Sequence, residues 1–165
     1  MIAEDRPLHP EVAGVPVHNI VFFIAVMASV LTLGMALAHL FALPNKMAMS
    51  RDDYFVSQAA YLGWFQIWIV LLIQLVSLVM LAVLHHREPA VLWAVLIAIA
   101  CFIAAQVLFW MFTFPANKAT QNWTVIPANW ETLRRNWEYS HAAAAIIGIV
   151  GFASLVIAGI ARMRG

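Results

Sequence analysis

The stretch VLWAVLIAIACFIAAQVLFWMFTF, residues 91–114, runs for 24 residues without a charged side chain and with one amide, Gln106. No water reaches the backbone inside a hydrocarbon layer, so a crossing segment must bond its own N–H and C=O groups, and a run this long does so as a helix. Three further runs of the same kind lie at 19–43, 62–84 and 142–160, the last read as a span over 139–162. The expected fold class is all-α. Residues 1–165 form one integral membrane domain, an antiparallel four-helix bundle, up-down-up-down, with two longer connections on one membrane face.

Composition agrees. The chain is 64% hydrophobic and 10% charged, whereas about a quarter of a soluble domain is charged. Little besides short connections remains outside the spans, so the working parts belong to the bundle and its loops. A formal net charge of +1 with scattered Lys and Arg provides no basic patch for phosphates, which excludes nucleic acid as a partner. Cys101, the lone cysteine, reads as a small packing group within the third span. Ala36-Leu37-Ala38 resembles a signal-peptidase site, but the acidic segment before it and the long apolar stretch favour a retained helix.

Connections follow from prolines and caps. Pro7, Pro10 and Pro16 make the N-terminal tail irregular until His18 and Asn19 start the first span. That span is expected to stop at Leu43-Pro44-Asn45, because proline disfavours helix in the residue before it. Ser50 then caps a short helix leading to the second span. His85-His86-Arg87-Glu88-Pro89 makes the next turn; its adjacent histidines diverge and read as solvated rather than metal-binding. The helix starting at Pro127-Ala128-Asn129 would measure roughly 50 Å if unbroken to Arg162, so its first turns stand outside the hydrocarbon or it kinks near Ser140. Lys46, Arg51, Lys118, Arg134 and Arg135 on the loop side balance Arg6, Arg87, Arg162 and Arg164 on the other. The longer loops therefore decide orientation, and cytoplasmic termini in a bacterial plasma (inner) membrane are expected.

An up-down-up-down path brings four helix ends to one face, and each carries unusual polarity. His39 lies on the first span. Gln58, Tyr61 and Gln66 flank the start of the second, and Arg134, Glu138 and His141 open the fourth. On the third, Gln106, Trp110, Thr113 and Asn117 fall at i, i+4, i+7 and i+11, one stripe. Trp130, Arg134, Trp137 and His141 repeat that spacing, and Gln66, Gln74 and Ser77 form a third stripe. The opposite face shows no comparable buried set. Polar groups at membrane depth are costly unless they face the interior, which marks a pocket as well as interhelical glue. Most tryptophans read as a belt at the membrane boundary; Trp137, sharing its stripe with Arg134 and His141, reads as a pocket wall. Small residues four apart (Ala28, Thr32, Ala36; Ala94, Ala98; Ala144, Gly148) allow close helix packing and bring His39 toward His141.

Two stretches carry a family likeness: His39-Leu40-Phe41-Ala42-Leu43-Pro44-Asn45-Lys46-Met47 with Arg51-Asp52-Asp53-Tyr54, and Asn117 to Thr120 with Pro127 to Arg134, Trp137 and His141. The chain resembles the small four-helix bacterial membrane proteins grouped with anthrone oxygenases. The resemblance implies the four-helix fold, an oxygenase-like activity without metal or flavin, and Asn117, Trp137 and His141 in the matching motif. It departs where relatives often show an arginine one turn after the histidine, since Ala142 to Ala145 stand there.

Three function classes follow. In the first, the pocket is a cofactor-independent oxygenase or oxidoreductase site for an apolar aromatic or quinone-like molecule entering from the membrane. His141 or His39 removes a proton, Asn117 and Arg134 stabilise the charge, and Trp137, Trp110, Gln106, Gln66 and Thr113 bind substrate. In the second, His39 and His141 ligate a single haem b. The third is an accessory subunit of a homo-oligomer or larger membrane complex, in contact with lipid. Glu138-x-x-His141 has the spacing of a carboxylate di-iron ligand pair, but the apolar spans supply no further carboxylates, so no metal is assigned.

Overall fold

A computed structural model of the chain describes residues 16–163, and the expected irregular arm at 1–15 lies outside them. Helix α1 (Val17–Ala48) is followed by the short α2 (Arg51–Gln58) and two 3-10 turns, Ala59–Tyr61 and Trp64–Gln66. Then come α3 (Ile67–Leu84), α4 (Pro89–Leu108), a π turn (Phe109–Thr113), α5 (Phe114–Ala119) and α6 (Trp130–Arg162). No strand occurs among the described residues. α1 packs on α3 and α6, and α4 on the same two, closing a ring of four antiparallel helices.

The four apolar segments are 32, 21, 31 and 33 residues long. Their outer faces carry Phe23, Ile69, Val83, Trp93 and Met111, each more than 60% exposed. In water such a girdle would be an aggregation surface; against acyl chains it is the solvated face. The chain is a multi-pass integral membrane protein.

Apolar packing and polarity divide the bundle lengthwise. Val21, Ala25, Leu78, Leu81, Val95 and Leu155 fill the half nearest the termini. Toward the long connections the core gives way to a cavity and a polar cluster. Close approach on the filled side needs Gly151, where an added Cβ would lie 2.9 Å from the Cβ of Cys101. Cys101 is thus the packing group its position suggested.

Two local expectations are corrected, and of two alternatives for α6 one is selected. α1 does not stop at Leu43 but runs through Pro44 to Ala48, losing one amide hydrogen bond near its end, with Lys46 buried in the last turn. α6 is continuous through Ser140, so its length is absorbed by turns above the membrane rather than by a kink. The terminus face also carries a polar set. His85 is 6% exposed, and its Nδ1 lies 3.0 Å from Glu88 Oε1. The His18 ring meets it edge-on at 6.1 Å, and Arg162 bonds His18 and Asn19. Helix capping by the α3–α4 turn folds His85 inward, which adjacent histidines in sequence did not signal.

Candidate functional site

His39 sits nine residues before the end of α1, and His141 lies in the fourth turn of α6. The α1–α6 contact brings them together as a stack, ring centroids 4.2 Å apart and planes inclined by 21°. Trp137 meets both rings edge-on, at 5.0 Å from His39 and 4.3 Å from His141. Tyr61, delivered by the first 3-10 turn, covers His39 at 4.8 Å. One nitrogen of each imidazole, His39 Nδ1 and His141 Nε2, is buried without a hydrogen-bond partner. Buried polar atoms left unpaired are uncommon and costly, so this pair marks the site.

Beside the stack lies an ion pair that sequence reasoning passed over. Lys46 and Glu138 are 4% and 0% exposed, and Lys46 Nζ stands 2.8 Å from Glu138 Oε1. Nζ makes no well-aligned hydrogen bond, so charge rather than bond geometry holds the contact. The ammonium rests over Tyr61 and Trp137, 4.6 and 4.5 Å from their centroids, a favourable cation–π environment. Tyr54 OH donates to the same carboxylate oxygen at 3.0 Å, with Gln58 Nε2 at 3.5 Å. Burial and the neighbouring Glu138 charge push the Tyr54 phenol up, so it remains a donor. The missed signal was spacing. Lys46 is seven residues after His39 and Glu138 three before His141, each on its histidine's face.

Asn117 serves the site by holding it. Its Oδ1 accepts from Trp123 Nε1 at 3.0 Å and Trp137 Nε1 at 2.9 Å, which orients the amide and leaves Nδ2 as its donor. The loop beyond it turns through three left-handed residues, Gln121, Asn122 and Trp123, at φ 49°, 56° and 66°. Such geometry strains non-glycine residues. Burial of Trp123 and its bond to Asn117 offset that strain. Asn117→Leu is expected to leave both indoles unpaired at about 1–3 kcal/mol each. Unfolding in detergent together with a shift in tryptophan emission measures this, and unchanged emission would mean the indoles find other partners.

A cavity of about 540 Å³ opens beside these rings, and His39, His141, Trp137, Asn117, Gln106 and Thr113 line it. Thr113 Oγ1 and Ser140 Oγ share a hydrogen bond of 2.8 Å in its wall. Three expected site residues lie elsewhere. Trp110 is 52% exposed and packs against Trp68 and Phe114. The π turn, placed just ahead of Pro115, widens the helix and breaks the stripe it shared with Gln106. Gln66 is exposed, because the break at Gly63 (φ 85°) and the 3-10 turn after it remove the α-helical phase linking it to Gln74. Arg134 donates to the Met49 carbonyl at 3.0 Å and stacks on Trp130 and Tyr54. It shares a face with His141 but lies about 10 Å higher along the axis, where it ties the α1–α2 connection to α6.

The stack also bears on haem. A metal held between two imidazoles lies about 2 Å from each nitrogen, which places ring centroids roughly 6 Å apart with their edges facing. Faces 4.2 Å apart leave no such gap, so the pair as arranged does not fit a bis-histidine haem. Among the described residues, no group of three or more His, Cys, Asp or Glu is placed to hold a metal ion. No family model, curated protein or solved structure matches this chain.

Proposed function

We propose that this membrane protein is a cofactor-independent oxygenase, anthrone-oxygenase-like in chemistry, acting on an apolar aromatic molecule with an acidic C–H. The observation that carries this reading is the stacked His39–His141 pair, its buried nitrogens unpaired, at the wall of a 540 Å³ cavity walled by Trp137 and Tyr61. A volume of that size holds a small polycyclic molecule, and aromatic walls suit a flat ring.

The reaction balances with molecular oxygen as the oxidant. A neutral imidazole removes a proton from the substrate's ring methylene, and Nδ2 of Asn117 stabilises the enolate-like oxygen. The carbanion gives electrons to O2 and forms a C–O bond. The resulting peroxide anion takes the proton back from the imidazolium, and the hydroperoxide so formed loses water, so that methylene plus O2 becomes carbonyl plus water. In this reading Arg134 holds the loop rather than the charge. The protein sits in a bacterial plasma membrane with cytoplasmic termini, and its cavity mouth faces outward with the longer connections.

The deciding experiment supplies the purified protein, in lipid nanodiscs, with anthrones, which carry the acidic ring methylene the reaction needs, under oxygen. Oxygen uptake with stoichiometric ketone formation is expected. No uptake, no aromatic binding and co-isolation with stoichiometric partner subunits would replace this reading by that of an accessory subunit.

A further inference from the structure

We infer that the cavity is built for a two-part ligand, a flat ring at the imidazoles and a long aliphatic tail lying down the bundle. The ring end rests on the function proposed above; the tail rests on the shape of the cavity. Its lining runs along α1 from His39 to Ser29 and along α6 from His141 to Phe152, about 15 Å of depth below the stack at 1.5 Å per residue. On α3 it runs from Ile67 to Leu78, about 17 Å by the same rise. Spread over that depth, 540 Å³ averages on the order of 30–35 Å² in cross-section, an elongated space rather than a compact bowl.

The lining changes character with depth. Polar and aromatic groups crowd the mouth, whereas Leu33, Leu71, Phe102, Ala105, Ala144 and Gly148 form the arm beneath. Small residues keep it open: a Cβ on Gly148 would meet only the tip of Leu33, at 3.2 Å. At the floor, Gln74 Nε2 donates to Ser29 Oγ at 3.1 Å and Thr32 Oγ1 donates to Gln74 Oε1 at 3.0 Å. These groups satisfy one another and ask nothing polar of a ligand. A ring alone would leave the arm without contact partners, forfeiting the dispersion a tail restores. Beside the mouth Trp64, Phe65 and Trp68 are exposed on the outside of the bundle while also lining the cavity, an apolar route by which a tailed molecule would enter.

The test uses naphthoquinones, analogues of the ring product, bearing saturated tails with a photoreactive diazirine at the third or the eleventh carbon. They are applied to the full chain in nanodiscs and the labelled residues mapped by mass spectrometry. Labelling should move from the level of Ala144 to that of Leu78 as the diazirine moves down the tail. Ala105→Phe should weaken binding of the long-tailed probe tenfold or more, with a tailless naphthoquinone changed less than twofold. If that variant misfolds, the depth-dependent labelling of the natural chain decides alone. Labels confined to lipid-facing residues such as Phe23 and Ile69 at both positions would overturn the tail while leaving oxygen uptake, and the proposed function, intact. Equal labelling of the arm by a ring-free fatty alcohol would also overturn it, assigning the arm to any lipid chain. Loss of oxygen uptake with depth-dependent labelling preserved would instead sink the oxygenase and keep the two-part site.

Discussion

Lys46→Met is expected to destabilise the bundle by about 3–5 kcal/mol, because it leaves the fully buried Glu138 carboxylate without its cation. Two acceptor-directed groups, Tyr54 and Gln58, still point at that carboxylate, but neither carries charge. Glu138→Gln should cost less: its amide oxygen still accepts from Tyr54, and the ammonium keeps the faces of Tyr61 and Trp137. The double variant removes both charges while preserving shape and the Tyr54 acceptor, and should recover to within about 1–2 kcal/mol of the natural chain, since replacing a whole buried pair is far cheaper than breaking it. Unfolding in detergent for all four members of the cycle measures the coupling. Strictly additive losses would mean that the 2.8 Å contact contributes nothing specific.

His141→Ala should slow oxygen uptake by a factor of about 10²–10⁴, the usual contribution of a positioned general base, with KM changed only a few-fold. His39→Ala should fall in the same range, and the double variant should lose little more than either single one, because groups acting as one unit are not additive. His39→Phe separates the two roles of that ring. It preserves a flat partner for His141 and removes the nitrogens, so rescue relative to His39→Ala marks His39 as a positioning residue, and no rescue marks it as the proton acceptor. Unfolding measured in parallel guards against loss of fold. Natural rates in all of these variants would remove the imidazoles from the mechanism.

Much of the site was readable before any coordinates because helical spacing is a local property. His39, His141, Trp137, Asn117, Thr113 and Gln106 meet at one cavity, as their stripes and the up-down path required. The residues that went elsewhere did so where the backbone left α geometry. Trp110 lies in a π turn ahead of Pro115, and Gln66 in a 3-10 turn after Gly63, so a period of 3.6 no longer described which way they face. Arg134 kept its face and failed on height, which a helical wheel does not show. Lys46 was hidden for a different reason. A lysine after a proline at a helix end reads as a surface charge, and only the fold over it supplies the carboxylate and rings that make burial tolerable.

What the sequence by itself determined is the class: four apolar runs too long for water, an even number of crossings, and hence two long connections and four polar helix ends on one face. Those follow from backbone hydrogen bonding in hydrocarbon, which depends on length and polarity and on no partner. Only the tertiary structure decided that the imidazoles stack rather than face one another across a metal-sized gap, that Lys46 and Glu138 form a buried pair beside them, and that the cavity at their side extends down the bundle toward its filled half. Distances between side chains on different helices depend on the rotation and height of each helix. Small residues, one π turn and a left-handed loop set these together, and none of them states its effect alone.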